Sequence, residues 1–149
     1  MANGRVTHEW GRVDDLFRVA LKALIVNDKG EILVVKESGR TWWDLPGGGM
    51  DHGESLKEAL SRELFEEVGL KGDLSYDILS VSEPHLLDVI DIIQVRLMFF
   101  VKPSEMSFSV GTDSDEIAFI EPSYFEKSDD PYDQQIYSYW LMAKGRNLV

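Results

Sequence analysis

The 149-residue chain contains no cysteine, which rules out disulfides, thiolate catalysis and cysteine-ligated zinc, and agrees with a reducing compartment. Histidine is scarce, at three residues, and His8, His52 and His85 are not spaced as a metal-binding group. Positive charge is in deficit: 15 Lys and Arg face 27 Asp and Glu, a net charge of −12. Such a balance argues against a binder of polymeric RNA or DNA, which carries a basic footprint for phosphates. Long apolar runs are missing too, and the first residues, MANGRVTHEWGRVDD, show no apolar core of a secretory signal. A cytoplasmic protein with no membrane partner is expected.

What is present suits one folded domain over residues 1–149, since 44% of residues are hydrophobic and no linker-like tract divides them. Arg18–Val26 reads as a strand, followed by the turn Asn27–Gly30 and a second strand, Glu31–Lys36, in a hairpin. Trp42–Leu45 is a short strand running into Pro46-Gly47-Gly48-Gly49, a loop able to approach a ligand closely. Further strands are expected at Leu74–Glu83, Val89–Val101 and Glu116–Ile120. A last helix should begin at Pro131 with Asp130 as N-cap and end before Gly145, burying Ile136, Tyr139, Trp140 and Ala143. Helices among mostly β elements indicate a mixed α/β domain.

The most informative stretch is Gly48 to Leu70. Ser55 with Glu58 three residues later has capping-box spacing, and Gly69 marks a stop, so a helix is expected over Leu56–Val68. On it Glu63, Glu66 and Glu67 lie at i, i+3 and i+4 and share one face, whose edge overlaps the apolar stripe Leu56, Leu60 and Leu64. Three carboxylates held close and partly buried would have raised pKa values unless a cation neutralised them. All-oxygen ligation suits a hard ion such as Mg²⁺ or Mn²⁺.

The spacing of Gly48, Glu54 and Arg62-Glu63-Leu64-Phe65-Glu66-Glu67-Val68-Gly69-Leu70 resembles the Nudix box, G-x5-E-x7-R-E-U-x-E-E-x-G-U, at every fixed position. The preceding Trp43-Asp44-Leu45-Pro46-Gly47-Gly48 is similar to the segment that leads into the box in that family. The resemblance covers 23 residues and implies an α/β/α sandwich around a mixed sheet. It further implies metal ligation by Glu63, Glu66 and Glu67, with Arg62 orienting a box glutamate through a salt bridge and Glu54 supporting the site as an outer metal ligand or through hydrogen bonds. Gly47, Gly48 and Gly49 would shape the loop near metal and phosphates. The implied activity is hydrolysis of the diphosphate linkage in a nucleoside diphosphate joined to another moiety: ADP-ribose, a nucleotide sugar or a nucleoside triphosphate. The substrate would be small, and dimers are frequent among such proteins.

Other calls are weighed beside the box. Glu116 is the chosen extra carboxylate, over Asp113, Asp115 and Glu121, because it opens the expected strand; an ordinary loop-edge charge is the competing reading. Trp43 or Trp42 could stack on a base or pack in the core. Arg96 shares a strand face with Gln94 and could clamp a diphosphate or form a surface salt bridge. Pro84 lies in the region where ADP-ribose hydrolases of the family tend to carry a proline, which leans the expected substrate toward ADP-ribose or a nucleotide sugar. Isopentenyl diphosphate isomerase shares the fold, but its chemistry needs a cysteine absent here. A non-catalytic nucleotide-binding regulator is the alternative, set against a box that is complete.

Overall fold

The computed structural model describes residues 5–149. In chain order these form β1 (Arg5–Thr7), β2 (Val13–Asp15), β3 (Phe17–Leu24), β4 (Ile32–Glu37), α1 (Leu56–Val68), β5 (Leu74–Val81), β6 (His85–Leu87), β7 (Ile92–Pro103), β8 (Ser114–Ile120), α2 (Pro122–Glu126) and α3 (Pro131–Gly145). β7 is the centre of a mixed sheet, parallel to β3 and antiparallel to β5 and β6. A second, two-stranded antiparallel sheet pairs β4 with β8, and β1 pairs with β2.

Strand alternation sorts the core into two layers. Leu21, Ala23, Leu33, Val35, Phe99 and Val101 point to one side, where Ala59, Leu60, Leu64 and Val68 of α1 cover them. Leu24, Ile32, Val34, Met98 and Phe100 point to the other, beneath Phe125 of α2 and Ile136, Tyr139 and Ala143 of α3. The result is the expected α/β/α sandwich. Helix α1 has the expected bounds and capping box, and stops at Gly69 in the left-handed region. Helix α3 is capped by Asp130 as expected but continues through Gly145, and Trp140 is only half-buried.

The expected hairpin closes only next to its turn, where Val26 bridges Ile32 and Leu33 N–H donates to the Ile25 carbonyl at 2.9 Å. The turn exists, with Asn27 Oδ1 accepting from the amides of Lys29 and Glu31, yet β4 pairs with β8 rather than β3. The glycine loop occupies the edge of β3 instead. Leu21 N–H donates to the Gly48 carbonyl (2.8 Å), Ala23 N–H to Pro46 (2.9 Å), and Met50 N–H to Val19 (2.8 Å). With β7 on one edge and this loop on the other, β3 has little backbone left for β4. The expected strand at Trp42–Leu45 shrinks to one bridge between Val35 and Asp44, and β8 begins two residues early, at Ser114. The short β1, β2, β6 and α2 carry too little periodicity to be legible. Among the described residues no helix is long and apolar enough to cross a membrane.

Candidate active site

The loop on β3 and the second half of α1 build one side of a cavity of about 750 Å³. Gly47 is required there twice over: its φ of 136° lies outside the range of ordinary side chains, and a Cβ would collide with the Leu21 carbonyl. At Gly48 a Cβ would lie 2.6 Å from Glu63 Oε2, so the bare backbone gives that carboxylate its space.

Glu63, Glu66 and Glu67 all line the cavity, as the i, i+3, i+4 spacing anticipates. Glu63 and Glu67 are buried with the apolar face, while Glu66 stands at the edge. Burial pushes the Glu67 carboxyl up to about 8, against the opposing pull of Lys22 and of a hydrogen bond from Gly47 N–H. Burial also raises Glu63, although Arg62 works against it.

Arg62 organises the acidic group. Its Nε and Nη2 grip Glu54 at 2.5 and 3.0 Å, Nη1 reaches Glu63 at 2.8 Å and Glu66 at 3.3 Å, and Nη2 also donates to the Gly49 carbonyl at 3.0 Å. The hydrogen bond from Arg62, aided by one from Asp51 N–H, holds the Glu54 carboxyl down at about 2. Both Glu54 oxygens are thus engaged, and Glu54 is not part of the cavity wall. Of the two roles expected of Glu54, outer metal ligand or support through hydrogen bonds, the hydrogen bonds are present: it fixes Arg62.

Among the described residues no three Asp, Glu or His side chains are already gathered as a metal cage, because Arg62 holds Glu63 and Glu66 and Gly47 holds Glu67. The donor chemistry nevertheless fits a hard divalent cation. Three carboxylates face one space, and the raised proton affinity of two of them marks negative charge that a cation would relieve.

Two calls need correction. Glu116 lies inside β8 opposite Lys36, is exposed, and pairs with the Lys36 ammonium at 2.9 Å away from the cavity. Asp113 is the carboxylate from that region that reaches the wall. Trp43 does not line the cavity; it packs on the second core layer with Lys36 Nζ over its ring, and Trp42 stacks on Tyr132. Arg96 does line it, with no carboxylate partner among the described residues, so the surface salt bridge is absent. Pro84 is not on the wall, although the neighbouring Leu86–Ile90 segment is.

The sequence reading missed Lys22, the buried cation of the site at 6% exposure. Its ammonium sits 3.0 Å from the Leu45 carbonyl, 3.1 Å from that of Gly47, 3.1 Å from Asp44 and 3.4 Å from Glu37. Burial lowers its proton affinity, but Asp44, Glu67 and Glu37 outweigh that and raise it, so the lysine is charged. A lysine inside the apolar strand RVALKALIV was the available signal. Arg18, Arg40, Glu37 and Asp44 also line the cavity and were not anticipated.

Comparison with known proteins gives the family. A putative 8-oxo-dGTP diphosphatase of Bacillus subtilis is 32% identical over 99 residues, 66% of this chain and 63% of its own. An RNA pyrophosphohydrolase of Shewanella frigidimarina is 44% identical over 57 residues, 38% of this chain; the match spans only a third (33%) of that relative. Among solved structures, a MutT protein of Methanosarcina mazei superposes with a TM-score of 0.69 at 23% identity, over 86% of this chain and 95% of that one. The model of the NUDIX domain matches residues 16–126, about three quarters of the chain and every element of the cavity, and the protein therefore belongs to the Nudix family.

Proposed function

We propose that the protein is a divalent-metal-dependent pyrophosphohydrolase that cleaves the diphosphate linkage of a nucleoside diphosphate joined to another moiety. The observation that carries this reading is the meeting of Glu63, Glu66 and Glu67 with the glycine loop in one cavity, braced by Arg62. Mg²⁺ or Mn²⁺, held by Glu63, Glu66 and Glu67, would neutralise phosphate charge and lower the pKa of a bound water.

The chain's own groups do the rest. Arg62 fixes the rotamers of Glu63 and Glu66 from the outside, so that their free oxygens stay turned to the cavity. Gly47 N–H and Lys22 fix the loop and Glu67 from the other side. Glu63 and Glu67 are the buried carboxyls with raised proton affinity, and one of them accepts the proton as water attacks phosphorus. The apolar segment Leu86–Ile90, with Val89 almost fully exposed, supplies a surface for the nucleoside.

The net charge of −12 favours a small nucleotide over a polymer, whose approach it would oppose. Two relatives are named for 8-oxo-dGTP and RNA substrates, which supports a phosphate anhydride as the scissile group. The test is a panel of nucleoside triphosphates, nucleotide sugars, ADP-ribose and dinucleotides with Mg²⁺ in ¹⁸O-labelled water. Label on a phosphate product, and its loss with Glu66→Gln or Glu67→Gln, is expected. Label on a sugar carbon, or turnover that survives chelation of all divalent metal, would refute the reading.

A further inference from the structure

The wall of the cavity formed by the sheet carries two guanidinium groups that no carboxylate neutralises. Arg18 of β3 is in register with Gln94 of β7, and Ala20 with Arg96, so these four side chains share one face of a parallel pair. All four line the cavity. In a chain with twelve excess negative charges, neither arginine has an acidic partner among the described residues. Arg18 Nε donates instead to the amide oxygen of Gln94 at 3.1 Å, and Arg96 Nη1 to that of Gln135 at 3.3 Å. The Arg96 Nε is buried with no hydrogen-bond partner among the described residues.

Arg18 is exposed and Arg96 half-buried at the cavity, so both guanidinium forks are open to a ligand. Strand geometry puts the two Cα atoms about 8 Å apart on one face, where like charges repel. Gln94 is itself buried, at 5% exposure, and among the described residues its side chain hydrogen-bonds to Arg18 and His85. A buried neutral amide orients a guanidinium without cancelling its charge, which leaves the remaining N–H groups for an anion. Ala20, between the two arginines, leaves space over the sheet. The Arg18 guanidinium also lies directly over Gly49, where a Cβ would overlap it, so this cation adjoins the loop that faces the glutamates.

We infer that Arg18 and Arg96 form a subsite for a terminal phosphate, and that the preferred substrates are nucleoside triphosphates rather than diphosphate diesters. This rests on the pyrophosphohydrolase reading above and sharpens it. A diester such as ADP-ribose or a nucleotide sugar carries one negative charge on each phosphate. A terminal phosphate adds a group of nearly two charges with three acceptor oxygens, which is what two unneutralised forks can bind. Gln94 is the positioning residue for Arg18.

The decisive measurement is kcat/KM with Mg²⁺ for a nucleoside triphosphate and for ADP-ribose, in the wild-type protein and in Arg18→Gln and Arg96→Gln. The wild type should prefer the triphosphate, and each variant should cut the triphosphate-over-diester ratio by about tenfold or more, the scale of hydrogen bonds to a charged group. Equal losses on both substrates, or a wild type that prefers the diester, would overturn the subsite while leaving the hydrolase reading intact. Calorimetric binding of a non-hydrolysable triphosphate to Glu67→Gln separates the two questions further. Binding that weakens about tenfold with Arg18→Gln supports the subsite even if no substrate is turned over; binding indifferent to both arginines defeats it. Gln94→Glu, which would neutralise Arg18, should mimic Arg18→Gln, and Gln94→Leu should weaken triphosphate binding less.

Discussion

Glu67 Oε2 accepts the Gly47 N–H at 2.9 Å, joining the last carboxylate of α1 to the loop that runs along β3. The bond is buried and lowers the proton affinity of Glu67, yet burial still sets that carboxyl near 8. The helix is therefore folded around a group that prefers to be neutral.

A stability profile follows from this. The folded pKa of about 8 lies above the ordinary 4.5, so the fold binds the proton more tightly than the unfolded chain. Its contribution is fully present below pH 4.5 and is lost as pH rises to 8, an effect of up to about 5 kcal/mol. Metal-free protein should melt at progressively lower temperature from pH 5 to 8.5, and Mg²⁺ should restore more at pH 8.5 than at pH 5.5. The melting temperature should fall less across this range in Glu67→Gln than in the wild type, the remaining fall belonging to Glu63, whose carboxyl burial also raises. The same fall in both would assign it elsewhere.

Lys22→Met keeps the length of the side chain but removes the ammonium from Asp44, Glu37 and two loop carbonyls. The cost should be about 3 kcal/mol, or roughly 10 °C in melting temperature for a domain of this size. The Glu67 carboxyl should then titrate still higher, because Lys22 is the strongest influence pulling it down. Carbon-13 spectra of labelled glutamate in metal-free protein would report that shift, and an unmoved titration would deny the coupling.

Glu116 and Asp113 separate by position. Glu116→Gln breaks only the exposed contact with Lys36 and should leave turnover within about twofold of wild type, with stability changed by under 1 kcal/mol. Asp113→Asn alters the cavity wall and should lower turnover by about tenfold or more. Steady-state rates of the two variants decide the order, and the reverse order would show that β8 turns Glu116 inward during catalysis.

Helix α1 was legible because cap, stop and carboxylate spacing are local properties of a chain segment. So was the face shared by Glu63, Glu66 and Glu67, which helical pitch alone dictates. Arg18, Lys22, Arg96 and Asp113 reach the same cavity from three separate strands or their flanks, and that meeting depends on pairing. Nothing in residues 17–37 signals that β3 gives its edge to the glycine loop, and the expected hairpin is confined to its turn end for that reason. Glu116 failed through a strand start displaced by two residues, enough to detach it from the loop that meets the cavity.

Arg62 satisfies five acceptors with five N–H groups: both oxygens of Glu54, one each of Glu63 and Glu66, and the Gly49 carbonyl. A lysine offers three donors from one point and cannot span this set. Arg62→Lys should therefore keep the charge and the helix but release at least two acceptors, freeing the Glu63 and Glu66 rotamers. Turnover should fall about a hundredfold, within the range for losing preorganisation in a catalytic site, with Mn²⁺ affinity weakened as well. Circular dichroism should change little, because the capping box and apolar stripe hold α1 without Arg62. Glu54→Gln should reproduce part of the loss, since it removes the anchor that aims the guanidinium. If Arg62→Lys retained full rate and metal affinity, the carboxylates would be held by the backbone alone, and Arg62 would reduce to a surface ion pair.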